Sequence, residues 1–227
     1  MKKALLCMAA VLLAGVSVLS ASPVLGPPVG QCSAAAGVTG SANDLIVPFS
    51  TFSVSGFACE QQDKIYSNFN MGAIPTDATL RLQVQPLGAL DFHTVTFNGN
   101  FLADFTVSYD VAIDLTLSPT ELITSVSGDI SNPSNTGTPS NLKTVFSEAG
   151  VTIGSLTSVP GNPGNPITTA ETALHVSDQY TAAGGAVVSI SNTFREEVPA
   201  AVPEPLTYLL AGGGFLLLAS LRRIRRV

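Results

Sequence analysis

Few residues in this chain have types and spacing that suit chemistry. The only histidines are His93 and His175, each inside a run that alternates apolar and polar residues. Neither belongs to a recognisable acid or cysteine motif, so both read as strand residues rather than as a ligand or a general base. There is no Gly-x-Ser-x-Gly elbow, no His-Glu-x-x-His pair and no phosphate-cradling glycine loop. No catalytic residue, no metal site and no cofactor is therefore assigned. Asp104, Asp110 and Asp114 share one parity, but four residues of strand separate the last two by about 13 Å, too far for one calcium ion. They read as a solvated acidic face. Asn162, Asn165 and Asp129 are loop candidates for calcium, and turn formation is the simpler role for each.

Cysteine chemistry is more specific. Cys7 lies inside the first apolar run, leaving Cys32 and Cys59 as an even pair without the Cys-x-x-Cys spacing of a metal or redox site. In an oxidising compartment they are expected to form a disulfide, closing a loop of about 28 residues.

The elements that carry these residues read as strands. Leu45 to Phe57 contains Val47, Phe49, Phe52 and Val54 and is broken by Pro48; Asp63 to Met71 follows a polar turn. Thr79 to Gln85 alternates strictly, the period of a half-buried strand. Phe92 to Phe97 leads into Asn98-Gly99-Asn100, which reads as a hairpin turn before a long strand from Leu102 to Leu117. Along that run Phe105, Val107, Tyr109, Val111, Ile113, Leu115 and Leu117 fall on one face. Leu122 to Ile130 continues the pattern, and Leu142 to Phe146 and Val151 to Leu156 flank Glu148-Ala149-Gly150 as a pair. Glu171 to Val176 and, after Gly184-Gly185, Ala186 to Phe194 complete the series; Glu196 and Glu197 open a stalk. Loops rich in Pro, Gly and Asn, few helical signals and no tryptophan predict an all-β fold, an antiparallel β-sandwich of jelly-roll-like type.

Charge is unevenly placed. Of ten basic residues, only Lys64, Arg81, Lys143 and Arg195 lie between the two ends, against 16 acids in the chain. Such a domain does not suit nucleic acid or anionic lipid.

The ends carry the topology. Lys2 and Lys3 precede the apolar run Ala4 to Leu19 and the small residues Ser20, Ala21 and Ser22, which predicts a secretory signal peptide over 1–21, with the Sec translocon and signal peptidase as partners. The exported domain follows over 22–197. Residues 198–227 begin with a stalk and Val202-Pro203-Glu204-Pro205, whose prolines keep the backbone extended. Leu206 to Leu221 is 16 uncharged residues. As a helix it reaches about 24 Å against a hydrocarbon core of about 30 Å, so the transmembrane helix needs Arg222 and Arg223 to snorkel. With Arg225 and Arg226 these arginines form a cytoplasmic stop by the positive-inside rule, leaving the N-terminal part outside.

The order Val-Pro-Glu-Pro, apolar helix and arginine cluster resembles the PEP-CTERM sorting signal of Gram-negative bacteria that make exopolysaccharide. The resemblance covers about the last 26 residues. It implies recognition of Pro203-Glu204-Pro205 by an exosortase, a membrane-embedded processing enzyme, and passage from an inner-membrane-anchored precursor to the cell surface or extracellular matrix. The leading expectation is a non-enzymatic surface or matrix protein associated with exopolysaccharide. A carbohydrate- or calcium-dependent binding module is the alternative, and a secreted hydrolase built on His93 or His175 the third.

Overall fold

The computed structural model describes residues 29–87, 90–131 and 137–198. The signal segment 1–21, the sorting motif Val202 to Pro205, the helix 206–221 and the four terminal arginines lie outside the described residues. Within them, no helix is long and apolar enough to cross a membrane.

Among the described residues thirteen strands follow one another: β1 (Thr39–Ser41), β2 (Asp44–Pro48), β3 (Cys59–Gln61), β4 (Lys64–Asn70), β5 (Thr79–Leu87), β6 (Leu90–Phe101), β7 (Phe105–Ile113), β8 (Leu122–Ser131), β9 (Ser140–Ser147), β10 (Thr152–Ser158), β11 (Ile167–Glu171), β12 (Ala173–Thr181) and β13 (Val187–Glu197). They form two antiparallel sheets, sheet I in the order β1-β2-β5-β6-β13-β8-β11 and sheet II in the order β10-β9-β12-β7-β4-β3. The expected all-β sandwich is thus present. Alternation dictates it: in β7, Phe105, Val107, Tyr109, Val111 and Ile113 are buried while the residues between them are not. Facing them from sheet I are Leu80, Leu82, Val95, Phe97, Ile190 and Phe194, all buried. Aromatic rings knit the layers, with Tyr109 of β7 packed on Phe97 of β6 and Phe194 of β13 at centroid distances of 5.8 and 6.4 Å.

Cys32 and Cys59 form the expected disulfide, with Cα atoms 4.7 Å apart. It ties the leading segment to β3.

Three expectations are corrected. Asn98-Gly99-Asn100 does not turn the chain: β6 runs through to Phe101, and β7 then enters the opposite sheet. The register against β13 skips from Val187↔Phe101 to Ser189↔Asn98, so the Asn-Gly signal marks a β-bulge. A Cβ on Gly99 would come within 2.9 Å of the Phe101 ring, which explains the glycine there. The long strand ends at Ile113 rather than Leu117, because Asp114 folds back on Thr116, its Oδ1 accepting from the backbone N at 2.8 Å and from Oγ1 at 2.6 Å. After Pro48 the predicted strand becomes a single helical turn, α1 (Phe49–Phe52), which drops Phe52 fully into the core.

Candidate functional site

The outer face of sheet II brings four chemistry-bearing side chains into one row. In register across neighbouring strands lie Phe146 of β9, His175 of β12, Asp110 of β7 and Ser67 of β4. Each has the parity opposite to the core residues of its strand, so the row faces away from the core. His175 Nδ1 and Asp110 Oδ1 are 2.6 Å apart. Asn68 Nδ2 donates to Asp110 Oδ2 at 2.5 Å. To reach it, Asn68 adopts φ 54°, a left-handed conformation that asparagine tolerates better than most residues, at the point where the β4 register shifts. Together with Ser147, Glu148, Gly150 and Ser177, the row lines a shallow cleft of about 600 Å³. The Phe146 ring lies 5.7 Å from the imidazole and supplies an apolar wall.

Chemically, this cleft offers an imidazole oriented by a carboxylate, hydroxyls and an aromatic surface. Among the described residues no hydroxyl hydrogen-bonds to His175, so the dyad has no nucleophile attached to it. The arrangement suits binding of a polyhydroxylated ligand. Sequence reading placed His175 in a strand and Asp110 on a solvated face; it did not bring the two together, because they are 65 residues apart. Asp104 and Asp114 do not join them. Asp104 Oδ1 accepts from the Ala182 N–H at 2.8 Å, and Asp114 serves the turn described above.

The calcium candidates each have a local role where contacts are present. Asn162 Oδ1 accepts from Gly164 N–H at 3.2 Å, and Asp129 Oδ1 from Ile130 N–H at 2.8 Å.

His93 belongs to a second cluster, between the sheets. Lys64 of β4 is fully buried, its Nζ 2.7 Å from Asp63 Oδ2 and 2.5 Å from Glu196 Oε2 of β13. His93 Nε2 lies 3.7 Å from both Asp63 Oδ1 and Glu196 Oε2. Glu196 is thus no stalk residue; it is 1% exposed and bound inside the last strand. One ammonium can neutralise one carboxylate, and burial decides which. Burial pushes the Glu196 carboxyl up to about 8 despite Lys64. For Asp63, burial is outweighed by hydrogen bonds from Lys64 and Ser118, which hold it at about 2. Burial, reinforced by the Lys64 charge, lowers His93 to about 3, so its ring is neutral. Asp63, His93 and Glu196 each present one donor atom, all within 4.8 Å of one another, the spacing a metal ion requires. The Lys64 ammonium already occupies the space between the carboxylates, and it would repel a second cation.

A third polar group is also internal. Asp178 of β12 accepts from Asn141 Nδ2 and Lys143 Nζ of β9 at 2.6 Å each and from Asn192 Nδ2 of β13 at 2.7 Å, all four side chains being fully buried. Nothing local in the sequence announces either internal cluster, since their members come from different strands.

No protein-family model and no curated protein matches the chain. Among solved structures, an arabinose-bound α-L-arabinofuranosidase is similar at 14% identity and a TM-score of 0.31, over 58% of this chain and 23% of that one. The chain spans less than a quarter of that enzyme's length, and a likeness at this level carries no argument about function.

Proposed function

We propose that the chain is an exported, non-enzymatic surface or matrix protein whose jelly-roll-like sandwich binds polysaccharide through the outer face of sheet II. The observation that carries the binding role is the cross-strand row Phe146–His175–Asp110–Ser67, which places an aromatic wall beside polar groups at a shallow, open cleft. Sugars present apolar ring faces and hydroxyl edges, and such a row meets both. An imidazole held by a carboxylate without an attached nucleophile favours binding over hydrolysis. Delivery rests on the tail: Val202-Pro203-Glu204-Pro205, the apolar run and the arginines are those of a PEP-CTERM sorting signal, with an exosortase as processing partner.

The two halves are tested separately. On a glycan array the protein is expected to retain neutral polysaccharide fragments, and Phe146→Ala and His175→Ala should each weaken retention by tenfold or more, about 1.4 kcal/mol. No binding by the wild type would remove the cleft from the proposal. Replacing Pro203, Glu204 and Pro205 by alanine should leave the precursor unprocessed at the membrane; unchanged mass and location would remove the sorting role.

A further inference from the structure

We infer that Lys143 and Asn192 are the two halves of an intramolecular amide cross-link between the sheets, formed with Asp178 as proton carrier and with release of ammonia. Lys143 is on β9 in sheet II and Asn192 on β13 in sheet I, so the bond would join the two layers through the core. The three groups required for amide exchange are a nucleophilic amine, an acyl carbon with a nitrogen leaving group, and an acid-base group touching both. All are present. Lys143 Nζ is 2.6 Å from Asp178 Oδ1, and Asn192 Nδ2 is 2.7 Å from Asp178 Oδ2, so a single carboxylate holds both the attacking and the departing nitrogen.

The tip of Lys143 has crossed the core. Its Cε and Nζ lie 2.6 and 3.3 Å from where a Cβ on Gly128 would sit, and Gly128 is the direct register partner of Asn192. The glycine therefore leaves the space that the lysine needs beside Asn192. Asn192 Oδ1 has no hydrogen-bond partner, nor has the neighbouring Tyr109 hydroxyl. That hydroxyl is free to donate to the oxygen as negative charge develops on it. All of these side chains are fully buried, so water does not compete as a nucleophile.

The atoms balance. Asp178 Oδ1 takes one proton from the Lys143 ammonium, and the free amine adds to Cγ of Asn192, placing negative charge on Oδ1. The carboxyl proton passes to Nδ2, the Cγ–Nδ2 bond breaks and ammonia leaves. Asp178 then removes the second proton from Nζ and ends as a neutral acid beside the new amide. No oxidant or other reactant enters. Burial lowers the Lys143 pKa against the pull of Asp178, which favours the uncharged amine the addition needs. The ordinary alternative for these residues is a stable buried ion pair, and mass separates the two.

Lys143 is the only Lys or Arg between Arg81 and Arg195. Trypsin cleaves after free lysine, so full-length protein, denatured and digested, should yield one peptide from Leu82 to Arg195 that is one ammonia lighter than its sequence. Tandem fragmentation should place the branch at Lys143 and Asn192. Two separate peptides of full mass, ending at Lys143 and at Arg195, would overturn the inference. Asn192→Ala and Asp178→Ala should each restore cleavage after Lys143, whereas Asn141→Ala should leave the light peptide unchanged. Restoration by Asn141→Ala and not by Asn192→Ala would overturn the assignment of Asn192. The wild-type measurement stands whether or not a variant folds.

Discussion

At the scale of single residues, the fate of buried charge decides most of what is specific to this molecule. Lys64 sits between Asp63 and Glu196 with no solvent contact, and only one of the two carboxylates needs to be ionised to balance it. Removing the cation by Lys64→Met leaves Asp63 uncompensated and should cost about 3–5 kcal/mol in urea unfolding. Glu196→Gln keeps the shape of a carboxyl that is already protonated and should change stability by less than about 1 kcal/mol near neutral pH. The acid limb follows from the same cluster. The pKa of His93 is lowered to about 3 in the folded state, so its contribution to stability is present above its ordinary pKa of 6.5 and is lost as pH falls from 6.5 toward 3. Asp63, lowered to about 2, adds a loss only below its ordinary 3.8. Glu196 acts in the opposite sense: raised from 4.5 to about 8 in the folded state, it adds stability as pH falls from 8 to 4.5 and offsets the His93 loss between 6.5 and 4.5. Chemical denaturation at a series of pH values should therefore show a decline that begins near pH 4.5 in the wild type, whereas His93→Gln keeps gaining stability down to that pH; identical profiles would assign the decline elsewhere. Neither histidine could be placed from its neighbours in the chain, because the groups that define its environment arrive from other strands.

At the scale of elements, local patterning located most strands, including β4, β5, β8 and β13 and the first half of β12, since a buried face imposes period two on any strand that covers a core, while the short edge strands β1, β3 and β11 carry no such pattern. It misread the connections. Asn98-Gly99-Asn100 has the composition of a hairpin turn, but β6 continues because its pairing with β13 resumes beyond it at Phe101, and the same glycine is used for a bulge. Gly99→Ala drives a Cβ against the Phe101 ring, which is fully buried and cannot retreat. That substitution should destabilise the fold by about 1–3 kcal/mol in thermal or urea unfolding. A neutral result would mean that the bulge relaxes. The hairpin around Glu148-Ala149-Gly150 was legible because its turn is closed within the chain, by the Gly150 N–H donating to Ser147 O at 2.8 Å.

At the scale of the whole molecule, the sandwich is pinned at its leading edge by Cys32–Cys59, which closes a loop of sequence separation 27. Constraint of the unfolded chain by a loop of that length is worth about 3–4 kcal/mol. Cys59→Ala should lower unfolding free energy by that amount, and reductant should lower the wild type to the same value without affecting the variant. Among the described residues all four cations are ion-paired: Lys64 and Lys143 inside, Arg81 with Asp44 and Arg195 with Glu197 outside. Among the described residues the unpaired surface charge is consequently acidic. What the amino-acid order determined by itself was whatever depends on near neighbours: strand alternation, the even cysteine pair and the acidic composition. What only the tertiary structure decided was which distant residues meet. Strand order set Phe146, His175, Asp110 and Ser67 in one row and Lys143 beside Asp178, and sheet stacking brought that pair to Asn192. Both are products of antiparallel registers between strands far apart in sequence, and registers of that kind are fixed by packing, to which no local spacing in the chain corresponds.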